Sequence, residues 1–294
     1  MGNRSFWGVI EYEVRRLRSK KSFYFMVLIA LLPFVTVTIV KYFNLETHGI
    51  FPIEQSNYLW LYLYGTPRTI GGGILVSATG IAAYMWLFAS LFGGDTLASD
   101  IEEGWIQVLL SKPLTRFEYI AGKVIAALGV LASVYFIGAL SSLISAYIMA
   151  GSQGYAYLVI VLPIVTALSS IPIILLSAWV GGYTGSSLTG LLSGIGLYFL
   201  SNTIAGLVGF TAGPRFIQRL MDYSLLDPIK ASTQTSLVTV MYLTGVHKIV
   251  FPRINGVYPV YSVNRLFTGS WVNLITSSII IFFFIVKWFS RKSF

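Results

Sequence analysis

Residues 124–150, "VIAALGVLASVYFIGALSSLISAYIMA", run for 27 positions without one Asp, Glu, Lys, Arg or His. A helix needs about 20 apolar residues to cross a hydrocarbon core, so this stretch can cross with some tilt. Five more apolar runs flank it, at roughly 22–40, 70–92, 156–180, 188–210 and 271–285. In lipid, backbone polar groups must find partners inside the protein, and none of these runs alternates with the two-residue period of a membrane barrel. The expected fold class is all-α integral membrane, one domain over residues 1–294 with six transmembrane helices.

Composition agrees. The chain is 55% hydrophobic and only 11% charged, and its mean hydropathy is +0.75, outside the range of soluble domains. Zero cysteines exclude disulfides, thiol nucleophiles and thiolate metal sites together. A net charge of +9 could point to nucleic acid, but in a membrane protein basic residues collect at the anionic cytoplasmic leaflet, so lipid is the expected partner and nucleic acid is not. The two histidines, His48 and His247, are half a chain apart without ligand-spaced companions, which argues against a metal or Ser–His enzyme.

Lys and Arg set the orientation. Arg4, Arg15, Arg16, Arg18, Lys20 and Lys21 precede the first run and Lys287, Arg291 and Lys292 follow the last, whereas residues 43–69 hold only Arg68. Both termini are expected in the cytoplasm of a multi-pass plasma-membrane protein. The first run is too long for a signal-peptide core and lacks a cleavage site, so it reads as a retained anchor. Residues 211–270 then form a large outer segment, whose "SLVTVMYLTGV" (236–246) is too short to span and suits a re-entrant or interfacial helix.

Residues 1–21 predict an interfacial amphipathic helix. Phe6, Ile10, Val14 and Leu17 recur at helical spacing, while Glu11 and Arg15 pair at i,i+4 on another face. The segment 99–123, "SDIEEGWIQVLLSKPLTRFEYIAGK", lies between the second and third runs. Ser99-x-x-Glu102 and Asp100-x-x-Glu103 have capping-box spacing, predicting a short helix from about Asp100 to Ser111, and Thr115-x-x-Glu118 predicts the start of the next. Ile101, Trp105, Val108 and Leu109 would share one face of the short helix. Such a face fits either a groove in a partner or the inner ends of the spans.

This segment resembles the cytoplasmic loop of type-2 ATP-binding-cassette (ABC) exporter permeases. The matching residues are Glu103, Gly104, Leu109, Leu110, Ser111, Pro113, Arg116, Gly122 and Lys123, with Trp105 departing from the Thr common there. The amphipathic N-terminal helix, six runs and long outer segment fit the same layout. The resemblance implies a non-catalytic permease subunit that exports its substrate, and the uncharged spans suit an apolar or amphipathic one. Asp100, Ile101, Glu102, Glu103, Gly104, Trp105, Val108 and Leu109 would form a coupling helix against a cytosolic ATPase. Two ATPase copies and a second permease copy, most simply identical, are implied, with ATP and Mg held by the ATPase and no cofactor here. The chain has no G-x-x-x-x-G-K-[ST] loop to hold ATP phosphates. Alternatives are an ATP-independent secondary transporter or a non-transporting anchor for a cytosolic partner.

Ionisable side chains are absent from the six runs, which weighs against ion-coupled transport. Hydroxyl and amide groups such as Ser201, Asn202 and Thr203 could line a pathway, or hydrogen-bond neighbouring helices. Small residues at four-residue spacing, Gly73 and Ser77, then Ser186, Gly190 and Gly194, allow close helix approach within one chain or across a dimer seam. The resemblance favours the dimer, because spans two and five face the partner in that family. Pro163 and Pro172 should bend the fourth span, and Tyr58, Trp60, Tyr62, Tyr64 and Trp271 read as interfacial aromatics.

Overall fold

The structure is a computed structural model that describes residues 2–42, 59–64, 68–70, 73–75, 81–104, 115–210, 226–245, 248–250 and 260–291. It is an array of helices. They are α1 (Gly2–Ser19), α2 (Lys21–Ala30), α3 (Leu32–Tyr42), α4 (Leu59–Tyr64), α5 (Met85–Glu102) and α6 (Arg116–Ala150). There follow α7 (Leu158–Ser169), α8 (Ile171–Thr184), α9 (Ser187–Phe210), α10 (Pro228–Leu243) and α11 (Val263–Arg291). Two antiparallel hairpins of three-residue strands are the only sheet among the described residues: β1 (Arg68–Ile70) with β2 (Gly73–Leu75), and β3 (Lys248–Val250) with β4 (Val260–Ser262).

Among the described residues four helical paths are long and apolar enough to cross a membrane: α6, α7 continued by α8, α9 and α11. The chain is thus a helical integral membrane protein with two short hairpins. The central path is α6, whose Thr115 cap is the expected one: the Thr115 hydroxyl accepts from the Glu118 N–H, 3.1 Å, and the Glu118 carboxylate accepts from the Thr115 N–H, 2.8 Å.

The first expected span is two helices meeting at Leu31, with Pro33 in the first turn of α3, and the fourth is two helices meeting at Ser170, with Pro172 in the first turn of α8. Proline lacks an N–H and starts helices well but continues them badly, so each break falls two residues before it. Pro163, by contrast, stays inside α7. At the first break the Ser141 hydroxyl of α6 donates to the Ala30 carbonyl, 2.8 Å. At the second, the Ser169 and Ser170 hydroxyls both donate to the Thr166 carbonyl at 2.9 Å. These buried hydroxyls satisfy carbonyls that a straight helix would have used itself.

The second expected span, 70–92, is corrected. Its first residues belong to the β1–β2 hairpin, and α5 starts at Met85 but runs on to Glu102. Gly71-Gly72 between the strands is a favoured two-residue hairpin sequence, and glycine has the lowest helix propensity after proline. The interfacial reading of Trp60 and Tyr64 is also corrected, because both are buried in the core. Trp60 Nε1 donates to the Gly154 carbonyl, 2.8 Å, and the Tyr64 hydroxyl meets the Thr166 hydroxyl, 3.0 Å. Trp271 is half-buried against α10, its Nε1 donating to the Thr239 hydroxyl, 3.1 Å. Tyr58, His48 and His247 lie outside the described residues. The helix expected at 236–246 is α10, and it starts earlier because Asp227 caps it through the Ile229 and Lys230 N–H groups, with Pro228 at its first position.

Candidate functional site

Residues 103–115, the connector, join α5 to α6, and the end of α5 and the start of α6 lie at one end of the helix array. The charged side chains of that end make the candidate site. The expected helix start at Asp100 does not occur, because residues up to Glu102 complete α5. The Ser99 hydroxyl donates back to the Asp95 carbonyl, 2.8 Å, and Asp100 is bound elsewhere, so neither is free to cap a new helix. Gly104 ends α5 instead: at φ +73 it turns the chain out of the helix, while the Glu103 N–H reaches the Ser99 carbonyl, 2.9 Å. A glycine just past a helical stretch was the available signal, and the overlapping capping-box patterns hid it. Trp105, Val108, Leu109, Leu110, Ser111 and Pro113 lie outside the described residues.

Asp100, expected at a partner surface, is 1% exposed and turned inward. Its Oδ2 lies 2.6 Å from Lys123 Nζ and also accepts from the Tyr119 hydroxyl, while Oδ1 lies 3.5 Å from Arg16. Lys123, 1% exposed, also donates to the Thr96 carbonyl, 2.7 Å, and sits 3.3 Å from Glu13 Oε2. Glu13 is fully buried and pairs with Arg16, and Lys20 donates to Asp95 Oδ1, 2.6 Å. Three carboxylates, Glu13, Asp95 and Asp100, are thus matched by three cations, Arg16, Lys20 and Lys123. A buried charge survives only when paired and hydrogen-bonded, and every charge here has an opposite neighbour. Burial alone would push the Arg16 guanidinium down, but Glu13, Asp95 and Asp100 outweigh it and raise it further, so it stays charged.

Three elements meet in this network: α1 through Glu13, Arg16 and the adjoining Lys20, the end of α5 through Asp95 and Asp100, and the start of α6 through Lys123. Close approach of α1 depends on Gly122, where a Cβ would stand 3.0 Å from Val9 Cγ1. The buried line of α1 is Val9, Glu13 and Leu17, with Phe6, Ile10 and Val14 half-buried beside it. Hydrophobic periodicity alone did not put a glutamate at the centre of that face. The exposed Glu11–Arg15 pair, 2.5 Å, is as expected. On the other side Glu102 accepts from the Ser187 N–H, 2.8 Å, and hydroxyl, 3.0 Å, placing a carboxylate at the N-terminus of α9. Arg116 donates to the Phe289 carbonyl of α11, and Tyr119 stacks on the Phe289 ring, 5.8 Å between centroids. The end of α11 therefore lies on the same side of the array as α1 and the connector.

The small-residue spacing is an internal seam, not an exposed one. A Cβ on Gly190 would stand 2.6 Å from Gly94 Cα, 2.8 Å from the Ser177 carbonyl oxygen and 3.0 Å from Gly181 Cα, and one on Gly194 would collide with Ser90 and Ser177. Backbone thus meets backbone where α5, α8 and α9 cross, which only glycine permits. Gly73 is in β2 and Ser77 lies outside the described residues. The Ser201–Thr203 triplet serves helix contacts: Ser201 donates to Asp227 Oδ2, 2.6 Å, Asn202 accepts from Lys230 and Thr203 bonds its own helix.

An integral membrane helical protein with a charged connector end is the class that fold and site define. A family model described as "ABC-2 family transporter protein" matches residues 7–287, and the chain belongs to that family. It is a multi-pass permease-type subunit of an ABC transporter. No curated protein matches the sequence.

Proposed function

We propose that the chain is an exporting permease subunit that works as a pair of copies with two cytosolic ATPase subunits docked on the connector. The observation that carries this reading is the connector's mounting. Glu103 and Gly104 at its start and Thr115 at its end are exposed, while Asp100 and Tyr119, a turn behind them, are buried and bonded. A push on the connector is therefore delivered to fixed helix ends. ATP with Mg belongs to the partner, because this sequence has no phosphate-binding loop. In the cycle, closure of the two ATPases would move the connectors as rigid bodies and exchange inward-open and outward-open arrangements.

Six crossings fit if α2–α3 and the α5 path are counted with the four long ones, and they put both chain ends on the connector's side, the cytoplasm by the Lys and Arg distribution. The second copy, most simply identical, needs a face of α9 other than its glycine seam. Leu188, Leu192, Phe199 and Leu207, each more than half exposed, provide one. Among the described residues the long helices carry ionisable groups only towards their ends, in keeping with an apolar or amphipathic cargo.

The test is recovery of the solubilised protein from its native membrane with identification of what accompanies it. A stoichiometric ATPase, lost on Trp105→Ala or Glu103→Lys while membrane insertion persists, is the expected result. Recovery of the chain alone, under conditions that retain other membrane complexes, would remove the ATPase reading.

A further inference from the structure

We infer that Glu13, Asp100 and Lys123 are positioning residues that fasten α1 to the end of α5 and the start of α6, so that these three helix segments move as one body during the transport cycle. The fastening rests on geometry alone; its use in a cycle rests on the ATPase reading above. Lys123 Nζ bridges the other two, 2.6 Å from Asp100 and 3.3 Å from Glu13, and all three are at most 1% exposed. Around these three, Arg16 and Lys20 balance Glu13 and Asp95, and Lys123 and Asp100 are further held by the Thr96 carbonyl and the Tyr119 hydroxyl. Pulling α1 away would strand Lys123 with two carboxylates reduced to one and expose Glu13's buried face. Separation is therefore costly, and concerted movement is not. Because Asp100 belongs to the end of α5 and Lys123 to the start of α6, whatever tilts these helix ends must carry α1 along.

The absence of native cysteine makes this directly measurable. Leu17, fully buried on α1, is replaced by cysteine and its labelling by a water-soluble maleimide is timed in nanodiscs, where both faces are accessible. Labelling should be slow, should quicken at least tenfold with Lys123→Met, and should return towards the slow rate when Glu13→Gln restores neutrality beside it. A purely packing role predicts no rescue, because methionine already keeps the stem. Unchanged labelling with Lys123→Met, or equal labelling with and without Glu13→Gln, overturns the fastening. Should Lys123→Met fail to accumulate, Val9→Cys with Gly122→Cys decides: the Val9 Cβ lies 3.4 Å from a Cβ built on Gly122, near disulfide separation. In complex with the ATPase, the oxidised and reduced forms of this double variant should hydrolyse ATP within about twofold of each other. A loss of tenfold on oxidation, reversed by reductant, shows that α1 and α6 part during the cycle and overturns the inference. If no ATPase accompanies even the unaltered protein, the ATPase reading fails and the labelling result still decides the fastening.

Discussion

Lys123 follows a glycine and precedes the longest uncharged run in the chain, and its environment is set by residues 23 and 110 positions away in sequence, Asp100 and Glu13. Removing one member of a buried ion cluster leaves the others uncompensated and costs about 3–5 kcal/mol. Lys123→Met should lower the thermal unfolding midpoint in detergent far more than Arg15→Met, whose exposed pair with Glu11 contributes little. Gly190 makes the opposite point. Its replacement by alanine should destabilise by about 1–3 kcal/mol or more through overpacking, because the new methyl would meet backbone on α5 and α8 that has no rotamer to yield. Alanine at Gly196, where nothing lies within 4 Å, should be neutral or better, and the two melts measured side by side check the seam.

At the scale of elements, the ends matter most. Gly104 holds φ +73, so Gly104→Ala should cost about 1 kcal/mol and fray the last turn of α5, visible as faster hydrogen exchange at the Glu103 amide. The α10 helix gives a pH signature. Burial holds the Lys230 ammonium below the ordinary lysine value, with Asp227 pulling the other way. Between its folded value and the ordinary one, the unfolded chain binds more protons. Stability gains from this group as pH rises through that window, and the opposing penalty is fully present below the folded value. Replacing Lys230 with methionine should flatten that part of the difference between alkaline and neutral melting curves. An unchanged difference would show that Lys230 is no more buried than an ordinary surface lysine.

For the whole molecule, the connector end gathers α1, the ends of α5, α8 and α11, and the starts of α6 and α9. A cysteine at Leu192, on the outward face of α9, should form a crosslink between two copies in the membrane if that face pairs them; one at Gly194, turned inward, should not. Crosslinking at neither position, with crosslinking on the exposed Ile280 face of α11, would move the pairing surface to α11.

Much was legible in one dimension. The membrane class, the helical content, the Thr115 cap, the break before Pro172 and the Glu11–Arg15 pair all depend on interactions within a few residues, which is where sequence patterns have force, whereas Pro163 was expected to bend its helix and does not break it. The connector's family resemblance was legible too, and the match over residues 7–287 agrees with it. What only the tertiary structure decided are the long-range partners. The capping-box pattern and the resemblance put Asp100 at the start of a partner-facing helix, periodicity singled out nothing at Glu13, and small-residue spacing left Gly190 and Gly194 open between a dimer and the chain's own interior. Their burial follows from which helices cross: α1 lies over the junction of α5 and α6, so opposite charges far apart in sequence neutralise one another, and α5, α8 and α9 cross at glycines, so backbone fills the space a partner would have needed. Local sequence sets what each helix is, whereas charge pairing and steric fit between distant segments set which face it hides.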